Sequence, residues 1–178
     1  MRMRSIAAAM SVACLAAGIA LAQGGPPKPG PEVQKLKVFE GKWTGESEMK
    51  PSPFGPGGKM TSADECTWAD GGFQLVCKGT STGPMGKMSG TSVMGWNGED
   101  KAYKYMGYDS TGMMAAAKGQ VSGKTWTWTG EDKMGGKLMH SRYTIVETSP
   151  TSYTFKWEMS EDGKTWNTIM EGKSTKTS

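Results

Sequence analysis

From Gly41 onward, polar and apolar side chains alternate one by one in several short segments of the chain. Trp43, Gly45, Ser47 and Met49 oppose Lys42, Thr44, Glu46 and Glu48, while Tyr153, Phe155, Trp157 and Met159 oppose Thr154, Lys156 and Glu158. Trp126 and Trp128 likewise share a side against Thr125, Thr127 and Thr129. A period of two is the signature of a strand with one covered and one wet face. Segments of this kind recur about every ten residues, separated by Gly, Asp, Asn and Ser turns. They fall near 41–49, 59–69, 73–82, 90–97, 102–109, 113–121, 124–130, 137–147, 152–159 and 165–174. One helix precedes them: Pro31 stands at a first helical position, and Val33, Leu36 and Phe39 follow three apart. Ahead of it, Gly24 to Pro31 reads GGPPKPGP, a tether unable to pack.

About ten antiparallel strands with short connections predict an all-β fold that protects its edges by closing on itself. The expected architecture is an up-and-down antiparallel β-barrel; a two-sheet sandwich would need longer crossing connections. In an up-and-down barrel the connections alternate between two ends. One end receives the tight turns at Gly71-Gly72, Gly98 to Asp100, Ser122-Gly123 and Thr148 to Thr151. The other receives longer loops: Lys50 to Gly58, Gly83 to Ser89, Ser110 to Gly112, Glu131 to Gly136 and Ser160 to Lys164. Met60, Met85, Met88, Met113, Met114, Met134 and Met159 lie in or beside those loops and are expected to gather at one mouth.

The N-terminus carries Arg2 and Arg4, an apolar run from Ile6 to Leu21, and Ala20-Leu21-Ala22 before Gln23. This is the pattern of a secretory signal peptide over residues 1–22, followed by a linker at 23–31 and a barrel domain at 32–175. A retained anchor would have to cross about 30 Å of hydrocarbon with a short segment, and lipidation at Cys14 would need a better flanking box. After cleavage no membrane span is expected, and the location is periplasmic or secreted. Cys66 and Cys77 then remain as an even pair in an oxidising compartment. A hairpin turning at Gly71-Gly72 sets residue 70 against 73, hence 66 against 77, so a cross-strand disulfide is expected.

The whole chain holds 21 Lys plus Arg against 17 Asp plus Glu, and cleavage would take away two of the basic residues. So neutral a surface argues against nucleic acid as a partner, and a monomer is expected. Leu, Ile, Val and Phe are scarce, but seven Trp, five Tyr and abundant Met supply apolar area of another kind. The core is therefore expected to be aromatic and methionine-rich.

The short helix leading into Gly41-Lys42-Trp43 resembles the entry to lipocalin and calycin barrels. That resemblance implies a basic residue near the end of the last strand packing over the Trp, a place Lys173 would take. The chain further resembles an uncharacterised bacterial family, domain of unknown function 1579, over roughly residues 33 to 174. The likeness rests on Gly41-Lys42-Trp43, Trp68 to Phe73, Met94 to Asn97, Gly107 to Gly112, Ser141 to Tyr143 and Met170 to Lys173. It implies a fold but no catalytic residues.

A barrel of this size is either filled by side chains or holds one small ligand. The expected inner aromatics are Trp43, Tyr103, Tyr105, Trp126, Trp128, Tyr153, Phe155 and Trp157, set among small Gly45, Ser47 and Gly107. Large beside small leaves room for an apolar or amphipathic molecule. Asp109, on the Tyr103 face, is a candidate to orient it, or else caps the turn that follows. The Met-rich mouth reads as a pliable rim or gate, or as soft thioether donors for Cu(I). His140, the one histidine, is expected to face outward beside Arg142. With one His, no hydrolase triad and no His-based zinc site can be assembled, so no cofactor is expected. The acidic pairs at 99–100, 131–132 and 161–162 read as turn residues. The expected function is ligand binding inside the barrel, with a side-chain-filled structural or interaction protein as the alternative.

Overall fold

The computed structural model describes residues 27–52 and 55–178. The expected signal peptide, the start of the tether and Phe54 lie outside the described residues. Helix α1 (Pro31–Lys35) runs into a 3₁₀ turn at Leu36–Phe39. Ten strands follow: β1 (Gly41–Met49), β2 (Gly58–Trp68), β3 (Gln74–Gly83), β4 (Gly86–Asn97) and β5 (Ala102–Asp109), then β6 (Met114–Ser122), β7 (Thr125–Met134), β8 (Lys137–Ser149), β9 (Ser152–Ser160) and β10 (Asn167–Lys176). Each pairs antiparallel with its chain neighbours, and β1 also pairs with β10, which closes the barrel. Closure leaves no sheet edge.

The alternation decides which side chains enter. Cys66 and Cys77 are register partners on β2 and β3, both inward and disulfide-bonded, with Cα atoms 4.0 Å apart. Their hairpin turns through positive φ at Gly71 and Gly72, which no other residue adopts so cheaply. His140 stands on the outer face, its Nδ1 3.1 Å from Glu131 Oε1.

Two of the expected mouth loops prove to be strand. β3 and β4 pair to the very tip, Gly83 against Gly86, and β7 and β8 pair to Met134 against Lys137. Gly135 and Gly136 form a two-residue turn at positive φ, and Gly86, also at positive φ, begins β4 directly after the Pro84-Met85 turn. The rim is thus built of projecting hairpins, with loops at 110–113 and 161–166 and, among the described residues, at 50–52 and 55–57.

The helix lies across the opposite end and plugs it. Its Val33, Leu36 and Phe39 are at most 5% exposed, and the Phe39 ring meets Trp126 edge-on at 5.0 Å. Trp43 Nε1 donates to the Phe39 carbonyl at 2.9 Å, and the Tyr103 hydroxyl donates to the Glu32 carbonyl at 2.9 Å. Around them pack Leu75, Met94, Trp128 and Ile145. Each such side chain contributes about 1.5–3 kcal/mol by burial. A second, smaller cluster of Met139, Met159 and Ile169 stands toward the mouth.

The basic residue over Trp43 is Lys176, whose Nζ is 5.8 Å from the ring, and not Lys173. Strand register accounts for the correction: Trp43 pairs with Lys176, whereas Lys173 pairs with Glu46 on the outer face and lies 3.5 Å from its carboxylate.

Candidate functional site

Between plug and mouth, the wall is stripped of side chains along one row. Asp64 on β2 is registered against Gly79 on β3, Gly79 against Gly90 on β4, and Gly90 against Asp109 on β5. The neighbouring row runs from Cys77 through Ser92 and Gly107 to Ala115. Where the backbone carries only hydrogen, hydroxymethyl or methyl groups, the barrel cannot fill itself. A cavity of about 390 Å³ results, walled by these residues together with Tyr105 and Trp157, and bordered at the mouth by Met88 and Met113. Ala115 faces inward by alternation yet is exposed, as expected if this half opens to solvent.

Gly79 and Gly107 are required here for close approach. A Cβ on Gly79 would stand 2.0 Å from Asp64 Oδ1, and one on Gly107 2.6 Å from the Tyr105 hydroxyl. The Asp64 carboxylate therefore leans over bare backbone. The Ser62 hydroxyl donates to it at 3.2 Å, and burial pushes its pKa above the usual carboxylate value, with the Ser62 bond partly offsetting that rise. Burial also raises the phenol pKa values of Tyr105, Tyr143 and Tyr153, and the nearby Asp64 charge adds to each. The hydroxyls of Ser92 beside Tyr105 and of Ser174 beside Tyr153 partly offset that rise. Asp109 sits at the rim, where its Oδ1 accepts from the Thr111 amide at 2.8 Å and from the Thr111 hydroxyl at 2.5 Å. Those bonds hold its pKa below the usual value.

The other inner aromatics are distributed by depth. Trp43, Tyr103, Trp126 and Trp128 belong to the plugged core, each at most 6% exposed. Tyr105 joins that core to the cavity, 6.1 Å from the Trp128 ring. Phe155 stacks on Tyr143 at 5.5 Å in the barrel's middle. The methionines divide similarly: Met60 and Met159 are buried, Met113 borders the cavity, and Met114 faces outward beside Tyr108. Asp64, Ser62, Tyr143 and the Gly79–Gly90 row were not singled out from the sequence, although Cys66 two residues on shows which side of β2 faces in.

A larger hollow of about 800 Å³ lies against β8, β9, β10, β1 and β2. It is bordered by outward charges such as Glu46, Lys59, Lys156 and Lys173, and no further element covers that face among the described residues. Solvated charges on an uncovered sheet face suit water better than a ligand, so the inner cavity is the candidate site.

Residues 28–176 match a family described as a protein of unknown function (DUF1579). The chain belongs to this family. Among solved structures, this DUF1579 chain resembles Rv2717c from M. tuberculosis, with TM-score 0.58 and 13% identity over 85% of this chain and 100% of that one. It also resembles the S-type phycobiliprotein lyase CPES from Guillardia theta, with TM-score 0.53 and 10% identity over 80% of this chain and 89% of that one. At such identities the likeness shows a shared lipocalin-like barrel and nothing of chemistry. No curated protein matches this member of the family in sequence.

Proposed function

We propose that this DUF1579 protein is exported and holds one small amphipathic molecule in the open half of its barrel. The observation that carries the reading is the unfilled cavity of about 390 Å³, whose wall combines aromatic Tyr105 and Trp157 with bare Gly79, Gly90 and Gly107. Concave, partly apolar sites with a few convergent polar groups are the usual form of small-molecule pockets. Ligand contacts would come from Tyr105 and Trp157, with Phe155 and Asp109 at the margins. Trp43, Tyr103, Trp126 and Trp128 would act behind them by holding the wall rigid. Export is supported by the apolar N-terminal run and by the Cys66–Cys77 disulfide, which an oxidising compartment preserves.

Protein stripped of lipid should quench or shift its Trp fluorescence on titration with a panel of small amphipathic molecules. If the whole panel leaves the spectrum and the melting temperature unchanged, the barrel is a structural body and the reading fails. Mass spectrometry of protein secreted from its full gene should find Gln23 at the N-terminus.

A further inference from the structure

We infer that the cavity selects an organic cation, a protonated amine on an apolar body, with Asp64 as its counter-ion. This rests on the ligand-binding reading above and narrows it. Among its described lining residues the cavity has two carboxylates, Asp64 and Asp109, and no Lys, Arg or His. Asp109 is committed to the turn at Thr111. Asp64 is not committed: among the described residues its one hydrogen-bond donor is the Ser62 hydroxyl, and no cation faces it.

The cost of that arrangement points to a missing partner. A carboxylate partly withdrawn from water is best held when an opposite charge and hydrogen bonds meet it, and half-buried Asp64 has one weak bond of 3.2 Å. On the β3 and β4 side the inward positions beside Asp64 hold Gly or Ser and no base, at Gly79, Gly90 and Ser92, while its β1 partner is Trp43, over whose ring Lys176 is engaged. An anionic ligand would meet two carboxylates with nothing to neutralise it. A neutral ligand would leave Asp64 as it is. A cation would pair with Asp64 while its apolar part lies along Tyr105 and Trp157, whose ring faces attract positive charge. A metal ion is a poor fit, since hard divalent cations want several oxygen ligands from the protein, and among the described residues no group of three or more His, Cys, Asp or Glu could hold one.

The test uses three probes of one chain length: n-octylamine, 1-octanol and octanoate, titrated into the full mature protein by calorimetry. Octylamine should bind at least about tenfold more tightly than octanol, a margin equal to one well-formed ionic contact, and octanoate most weakly. In Asp64→Asn the amine preference should fall below about threefold while octanol affinity stays within about twofold. As a check that needs no variant, the wild-type preference for the amine should fade as pH drops through the raised Asp64 pKa, with octanol affinity flat. The groups facing Asp64 do not confuse that profile, because Tyr105, Tyr143 and Tyr153 titrate above their ordinary range and Asp109 below its own. Octanol bound as tightly as octylamine, or an amine preference that survives in Asp64→Asn, overturns the inference and leaves ligand binding standing. Failure of all three probes to bind overturns both.

Discussion

The two halves of this barrel are made by the same alternation and end in opposite states. In the plugged half the inward positions hold Trp43, Leu75, Tyr103, Trp126 and Ile145, and a helix supplies Leu36 and Phe39 to close the gap at the axis. In the open half the same inward register holds Ser62, Gly79, Gly90, Ser92 and Gly107, and no helix covers the mouth among the described residues. Strand geometry alone therefore does not decide whether a ten-strand barrel is solid or hollow; side-chain volume along the inward rows does. Stability is concentrated at one end, which leaves the other free to carry an unfavourable group such as Asp64.

The largest test of that division is Trp126→Ala. Its ring contacts Phe39 at 5.0 Å and Tyr103 at 4.9 Å, and its Nε1 donates to Glu147 at 2.8 Å. Loss of so buried a ring should cost about 3–5 kcal/mol in chemical denaturation. Trp157→Ala, at the cavity wall, should cost clearly less; equal costs would mean that the halves are one core. Next in size is the staple between Cys66 and Cys77, which closes a loop of sequence separation 11. Replacing both cysteines by Ala should cost about 2–3 kcal/mol by the loop-entropy relation, read from the shift in denaturant midpoint.

The disulfide shows what single-strand reasoning can reach. A turn at Gly71-Gly72 implies the register sum, and the observed partners Cys66–Cys77 and Trp68–Leu75 obey it. The same sum places Asp64 against Gly79 and thus inside, but an acidic residue in a polar-looking strand reads as a wet one until its neighbour's facing is applied to it. Helix α1 was legible from its three-residue spacing, yet its role as a plug was not, because only closure creates the hole it fills. The tips at Gly83–Gly86 and Met134–Lys137 read as loops since Gly, Pro and Asp crowd there, while long-range pairing extends the ladder through them. Lys173 and Lys176 are told apart only by register with Trp43.

A smaller effect, opposite in sign, is expected at Asp64. Its pKa is raised by burial in the fold, so the folded chain holds its proton after the unfolded chain has released one. That term favours folding below the ordinary carboxylate pKa and is lost as pH rises through the raised value. Asp64→Asn should therefore melt higher than wild type near neutral pH, with the gain shrinking toward acid; melting curves of both proteins against pH isolate the term. A variant that melts lower at neutral pH would mean that Asp64 is held by favourable contacts, and the case for a missing cation would weaken with it. Smaller again, Lys176→Ala should cost about 0.5–1 kcal/mol through its contact with Trp43, whereas Lys173→Ala should leave the midpoint unmoved.

The least effect on folding, and the finest test of the open half, comes from two adjacent methionines. Met113 borders the cavity, while Met114 begins β6 and points outward against Tyr108. Both are at least half exposed, so Met113→Ser and Met114→Ser should each change stability by less than about 0.5 kcal/mol. Their effects on octanol affinity should differ, because a rim thioether covers apolar ligand surface and an outer one covers none. Met113→Ser should weaken octanol severalfold and Met114→Ser not at all. Equal weakening by both would mean that the ligand sits on the outer wall near Tyr108, since one step along a strand is enough to move a side chain from the inside of a barrel to its outside.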